Sequence, residues 1–194
     1  MLGSSANALA EFAEARALAP SAIVVAVNDS LRVCPERPTA FVTLHHEKVR
    51  DRFFRGIAPG EMAKVAQFGI RSAHGFEPTI VAEKWGGTSG LFAVQIALER
   101  LGCDGVILAG VPLDPAAGVN YQRTAKQIAR GDAWAGSALD RYRRGWMKAL
   151  PEIASRVRSV SGWTRNLLGA PDPDWMACIA RERRSMISSS ALAS

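Results

Sequence analysis

Apolar residues fall into two patterns along this chain: short unbroken runs, and longer stretches stepped by three and four. The runs are Ala22-Ile23-Val24-Val25-Ala26-Val27, Thr39-Ala40-Phe41-Val42-Thr43-Leu44, Thr79-Ile80-Val81-Ala82 and Gly105-Val106-Ile107-Leu108-Ala109. Runs this short and this apolar predict strands buried on both faces, as in the centre of a parallel sheet. The stepped stretches predict helices. One carries Leu9, Phe12, Ala13 and Leu18 and ends at Pro20; the other carries Leu91, Val94, Leu98 and Leu101 and stops at Gly102. Glycine takes the left-handed conformation needed just past a helix end without strain.

The rest of the chain fills in around these elements. Met1-Leu2 reads as the tail of a first strand, so the chain is expected to start a few residues into that strand. Residues 47–73 read as helix and loop interrupted at Pro59-Gly60, and one or two helices are expected between about Ala133 and Leu150, ended by Pro151. Arg156-Val157-Arg158-Ser159-Val160 alternates and predicts a last strand, followed by a turn at Ser161-Gly162-Trp163-Thr164 and a short helix from Arg165 to Leu168. Pro171-Asp172-Pro173-Asp174 precedes a final helix from Trp175 to about Met186. Strand, glycine loop, helix, glycine, strand is a βαβ unit, and such units close right-handed into parallel sheets. The expected fold is therefore α/β: a single Rossmann-like, doubly wound, mostly parallel sheet with helices on both faces. One domain is expected over 1–187, with a disordered tail at 188–194.

In open α/β sheets ligands sit outside the carboxyl ends of the strands. Here those ends carry polar or small residues: Asn28-Asp29-Ser30, His45-His46-Glu47-Lys48, Gly86-Gly87-Thr88-Ser89-Gly90, Gly110 and Ser161. The Gly86–Gly90 loop opens a helix whose first N–H groups lack partners, with the positive end of the helix dipole behind them. That is an anion cradle in outline. It is neither a Walker A loop, since no lysine follows the glycines, nor a GxGxxG fingerprint. Plainer readings stand beside it: Thr88 or Ser89 as an N-cap only, and Asn28-Asp29 as an Asx turn. His45 and His46 point to opposite faces if they continue the strand, so they do not share an ion. No metal site is predicted, and one of the two histidines touching a ligand is the better expectation. His74, beside Gly75, reads as a polar loop residue.

Composition narrows the class. With 194 residues, 48% of them hydrophobic, the chain can bury one good core. Cys34, Cys103 and Cys178 show neither CxxC spacing nor matching histidines, which argues against a disulfide framework or zinc site and for a reducing cytoplasm. No apolar run approaches a membrane span, and Glu11, Glu14 and Arg16 rule the N-terminal stretch out as a signal peptide. The net charge of +6 is concentrated after Asp114, where 13 basic residues meet six acidic ones. Such a region suits a phosphate-bearing ligand or a nucleic acid, but no nucleic-acid motif accompanies it. Self-association stays open.

Taken together, Gly3-Ser4-Ser5-Ala6-Asn7, Asn28 after a strand, Gly87-Thr88-Ser89-Gly90-Leu91 opening a helix, Leu101-Gly102, and Ile107-Leu108-Ala109-Gly110-Val111-Pro112-Leu113-Asp114 resemble one superfamily. It is the Rossmann-like group of small bacterial CMP-sialic-acid sialyltransferases and 6-hydroxymethylpterin diphosphokinase-like proteins, with many members in bacterial and phage genomes. The resemblance covers roughly the first 115 residues. It implies that Gly3, Ser4, Ser5 and Asn7 face nucleotide phosphates or ribose, that Asn28 faces the nucleoside, and that Thr88, Ser89 and Gly90 lie near the reaction centre. Asp114 would sit at the rim. The implied ligand is a nucleotide or a CMP-type nucleotide-sugar, with magnesium only on the diphosphokinase-like side, where Asp29 and Asp114 would be the acidic ligands.

Two departures bear on catalysis. The first loop reads GSSAN where the sialyltransferases resemble GNGPS. Their late-chain histidine base is missing too: no histidine lies beyond His74, and only Tyr121 and Tyr142 remain as later tyrosines. His45 or His46 would have to serve instead. Two functions follow as expectations: a nucleotide-dependent transferase, glycosyl transfer first, or a non-catalytic nucleotide-binding or sensing protein of phage or prophage origin. A nucleic-acid-associated protein is a third reading, supported by charge alone.

Overall fold

The structure, a computed structural model, describes residues 1–117 and 137–181. Six strands, all paired in parallel, run through those residues: β1 (Val25–Val27), β2 (Ala40–Thr43), β3 (Ala66–Gly69), β4 (Thr79–Ile80), β5 (Val106–Leu108) and β6 (Val157–Ser159). The helices among them are α1 (Ala8–Leu18), the single turn α2 (Pro59–Met62), α3 (Ser89–Glu99), α4 (Ser137–Ile153) and α5 (Gly162–Leu168), with residues 173–181 helical as well. β1 to β4 form one sheet in the order β1-β2-β3-β4, and β5 pairs with β6.

Leu2 joins the two sheets. It bridges in parallel to Ala26 on one side and Ala109 on the other. Its N–H donates to Val25 O at 2.9 Å and its carbonyl accepts from Val27 N at 3.1 Å, while Gly3 N donates to Ala109 O at 2.7 Å. The expected stub of a first strand is thus the seam of the molecule. The chain winds from it toward β1–β4 on one side and β5–β6 on the other, so the strand order reverses at Leu2. A reversal of this kind opens a crevice at the carboxyl ends of the strands.

Period-2 alternation places the helices on both faces. Val25, Val27, Ala40 and Val42 pack against Phe92, Ala93 and Ile96 of α3. Their neighbours Ala26 and Phe41 turn to the opposite face, against Val49, Phe53, Met62 and Phe76, and Leu2 with Ala109 meets Ala8 of α1 there. α3 is more buried than its sequence period suggests: every residue from Ser89 to Ala97 is buried. The reason is a second partner. Leu91 and Val94 pack with Leu139, Trp146, Ala149 and Ile153 of α4 and with β5 and β6, and a helix between two layers has no polar face to show.

Several expectations are corrected. β3 carries no apolar run, with Ala66 exposed and only Phe68 and Gly69 buried, so pairing with β2 rather than local pattern makes it a strand. β4 spans Thr79–Ile80 instead of four residues, and both are exposed because it is the edge of the sheet. Pro151 does not end its helix. α4 runs to Ile153, whose complete burial holds the last turn in place although proline removes one helical donor. The short helix begins at Gly162 rather than Arg165. Gly102 does adopt the left-handed conformation, at φ 65°. The tail at 188–194, Tyr121, and the ends of two expected helices at 133–136 and 182–186 lie outside the described residues.

Glu11 illustrates what the pattern conceals. Its carboxylate is buried at 7% exposure; Oε2 accepts from Gly110 N at 2.7 Å and Oε1 from the Ser161 hydroxyl at 2.7 Å. One side chain of α1 therefore ties the exits of β5 and β6 together. Glu11→Ala leaves two donors without an acceptor, and urea unfolding is expected to show a loss of about 3 kcal/mol, since hydrogen bonds to charged groups contribute roughly 1.5–3 kcal/mol each. Glu11→Gln keeps one carbonyl acceptor and is expected to lose less.

Candidate functional site

A cavity of about 320 Å³ opens at the strand-order reversal. Its floor is made by the strand exits: Gly3 and Ser4 after Leu2, Val27 and Asn28 at the end of β1, and Gly110 and Val111 after β5. Gly87, Thr88, Ser89 and Gly90 form one wall, Leu44 and His45 a second, and Arg141 and Tyr142 of α4 close a third. Lys48, Arg52 and Asp29 line it as well. This volume lies at the small end of ligand pockets.

The glycine loop is held from three directions. Gln95, buried on α3, accepts from Lys84 N and donates to Ala82 O, both at 3.0 Å. Trp85 Nε1 donates to Glu152 of α4 at 3.0 Å, and Lys84 also pairs with Glu152. Gly86 and Gly87 take positive φ (76° and 111°), which lets the chain turn directly into α3. Thr88 is the N-cap: its Oγ1 accepts from Leu91 N at 3.0 Å and from Trp146 Nε1 at 3.2 Å. The capping alternative thus holds for Thr88. Ser89 and Gly90, the first two residues of α3, are left with N–H groups that have no acceptor among the described residues. Ser89 Oγ accepts from Leu44 N at 3.2 Å and couples this wall to the exit of β2.

The first small-residue loop looks alike in sequence but behaves differently. Gly3, Ser5, Ala6 and Ala8 all donate their N–H groups to backbone carbonyls, of Ala109, Gly110, Ala117 and Ser5 respectively. Most of its amide donors are thereby used within the fold. Ser4 lines the cavity, its hydroxyl 3.4 Å from Val27 O. Ser5 is fully buried, its hydroxyl without a partner among the described residues, and does not line the cavity, and Asn7 is exposed outside it.

Asn28 sits at φ 54°, a conformation that asparagine tolerates better than most residues. Its Oδ1 accepts from Thr43 Oγ1 at 2.7 Å, and that same threonine oxygen accepts from His45 N at 2.9 Å. The exits of β1 and β2 are thus locked together, and among the described residues the Asn28 amide nitrogen, on a cavity-lining residue, has no acceptor. Of the two histidines only His45 lines the cavity; the chain leaves the strand and enters a short helical turn at His46–Lys48, which points His46 elsewhere. Burial, and next the neighbouring Lys48, push the His45 imidazole below its usual pKa, so it stays neutral and able to accept a proton at neutral pH.

Asp29 and Arg52 form a bidentate ion pair, both bonds at 2.7 Å, with the Asp29 side chain 7% exposed. Both carboxylate oxygens are therefore engaged. Asp114, unlike Asp29, does not line the cavity. With Asp29 balanced by Arg52, the cavity keeps the positive charge of Arg141 and of Lys48, the latter shared with Glu47 at 3.8 Å. Sequence reading missed both as site residues. Lys48 sat in a four-residue polar string and Arg141 was one of many basic residues, and only packing shows which of these turn inward.

Among the described residues no helix is long and apolar enough to cross a membrane. Comparison with protein-family models, with characterised proteins and with solved structures returns no match for this chain.

Proposed function

We propose that this cavity binds a phosphate-bearing, nucleotide-type ligand and that the protein is a nucleotide-dependent transferase, moving a glycosyl group from a nucleotide-sugar. The observation that carries this reading is the convergence of Asn28, Gly87–Gly90 and neutral His45 on a single cavity with surplus positive charge. In the transfer, His45 takes the proton of the acceptor hydroxyl as the new C–O bond forms. The bond from sugar to phosphate breaks, and its electrons stay on the phosphate oxygen. Lys48, Arg141 and the free amides of Ser89 and Gly90 stabilise that charge. On this reading the chain joins the bacterial and phage branch of the sialyltransferase and pterin diphosphokinase-like superfamily and works in the cytoplasm. The engagement of Asp29 by Arg52 favours a second reading, a non-catalytic nucleotide binder. It leaves His45, among the described residues, as the one imidazole or carboxylate in the cavity available for proton transfer.

A thermal-shift screen across nucleotides and nucleotide-sugars tests this directly. A ligand at about 100 times its Kd is expected to stabilise the fold by about 2.7 kcal/mol. Asn28→Gly, which keeps the left-handed backbone, and Ser89→Ala are each expected to weaken binding about tenfold, the worth of one hydrogen bond. If both variants bind as the natural chain does, the site is misassigned. Slow hydrolysis of a bound nucleotide-sugar separates the transferase from the pure binder.

A further inference from the structure

We propose that the phosphoryl dianion freed when the sugar–phosphate bond breaks is bracketed between Lys48 and Arg141, and that Gly145 is the positioning residue that sets Arg141 over the cavity. The inference rests on the reading of the cavity as a phosphate-bearing site and names the group recognised there. Its starting point is that the two cations arrive from opposite sides of the seam. Lys48 follows β2 in the β1–β4 half, and Arg141 belongs to α4, which packs on β5 and β6.

Arg141 has no carboxylate partner among the described residues; it is exposed, and its guanidinium lies over the Tyr142 ring at 5.4 Å. Lys48 is shared loosely with Glu47 at 3.8 Å and His45 at 3.5 Å. A singly charged planar carboxylate can satisfy one such cation. A tetrahedral dianion offers oxygens and charge to both cations at once, which is the chemistry selected by two cations that line one cavity from different elements.

The placement of Arg141 depends on a backbone contact one helical turn later. Gly145 and Arg141 are four apart on α4 and share a face. A Cβ on Gly145 would lie 2.6 Å from Gly86 O and 3.2 Å from the Gly87 Cα. The hypothetical Cβ of Gly87 would likewise fall 3.6 Å from Tyr142 O. α4 thus seats directly on the backbone of the glycine loop, and only a residue without a side chain permits that seat. A side chain at 145 would press on the Gly86 carbonyl and force a shift between the glycine loop and the turn of α4 that carries Arg141.

The test is calorimetric titration of the full chain with inorganic phosphate and with nucleoside monophosphates, acetate serving as the singly charged comparator. Phosphate is expected to bind and acetate to bind far more weakly. Arg141→Gln, an exposed substitution that leaves folding alone, is expected to weaken phosphate binding about tenfold, since charged hydrogen bonds are worth roughly 1.5–3 kcal/mol. Arg141→Lys should restore part of the affinity. Gly145→Ala is expected to produce a similar loss, and the double variant Arg141→Gln with Gly145→Ala little more than either alone. A merely structural role for Gly145 would instead give additive losses. Phosphate binding unchanged in Arg141→Gln, or acetate binding as tightly as phosphate, overturns the inference while nucleotide binding can still stand. Arg141-dependent phosphate binding with no nucleotide bound supports the inference and sinks the nucleotide reading instead. If the natural chain binds neither, both fall.

Discussion

Gly3→Ala is expected to destabilise this protein by about 3 kcal/mol or more, at the upper end of what overpacking costs. A Cβ there would stand 2.3 Å from Gly110 O and 2.6 Å from Val111 Cγ2. Neither neighbour can step back. Gly110 is itself pressed against α1, its own hypothetical Cβ lying 2.7 Å from Ala8 Cβ, and its N–H is held by buried Glu11. Relief would have to come from parting Leu2 from Ala26 or Ala109, the bridges that join the two sheets. The same opening would spread the floor of the cavity, so ligand binding should fall together with stability. Gly60→Ala is the matched control. Among the described residues nothing lies within 4 Å of a Cβ at that position, and it sits in a helical turn. There the exchange should leave stability unchanged or raise it by up to about 1 kcal/mol, through the unfolded chain. Chemical denaturation of both variants makes the comparison; equal midpoints would mean that the seam yields and is not rigid.

Trp146→Ala is the second large effect. Trp146 is fully buried in the core formed by α3, α4, β5 and β6, and its Nε1 donates to the Thr88 N-cap at 3.2 Å. Truncating a buried tryptophan costs about 3–5 kcal/mol through lost transfer energy and the cavity left behind. The loss should also reach the site, because the same ring holds the wall that begins α3 against the helix that supplies Arg141. Trp146→Phe retains most of the packing and loses the indole donor, so it should cost less in stability while still loosening the Thr88 contact. Measuring melting temperature and phosphate affinity on the two variants separates packing from capping. A Trp146→Ala protein as stable as the natural chain would refute the central role of α4 in the core.

Much of the cavity's lining could be read before folding because it consists of strand exits. A polar residue after an apolar run, as at Asn28 and His45, or a small-residue loop before a helix, as at Gly87–Gly90, is a local signal, and a parallel sheet collects such ends on one rim. The same logic misled at Ser5 and Asn7. Locally their loop looks open, yet its amides bond to carbonyls from the far side of the chain, at Ala109, Gly110 and Ala117. His45 and His46 are equivalent as neighbours in sequence and separate only where the chain bends out of its strand.

By itself, then, the order of residues determined the α/β class, the parallel strands β1, β2 and β5, the core helix α3 and the loop that opens it. These follow from periodicity and backbone preference, which act over a few residues. Tertiary structure alone decided that Leu2 is the seam, that Ala66–Gly69 is a strand, that Glu11 is a buried tie, and that Lys48 and Arg141 share a cavity with Asn28. Each of these depends on groups brought together from distant parts of the chain, and no local pattern records which partner a charge or a backbone donor will meet once the core has closed.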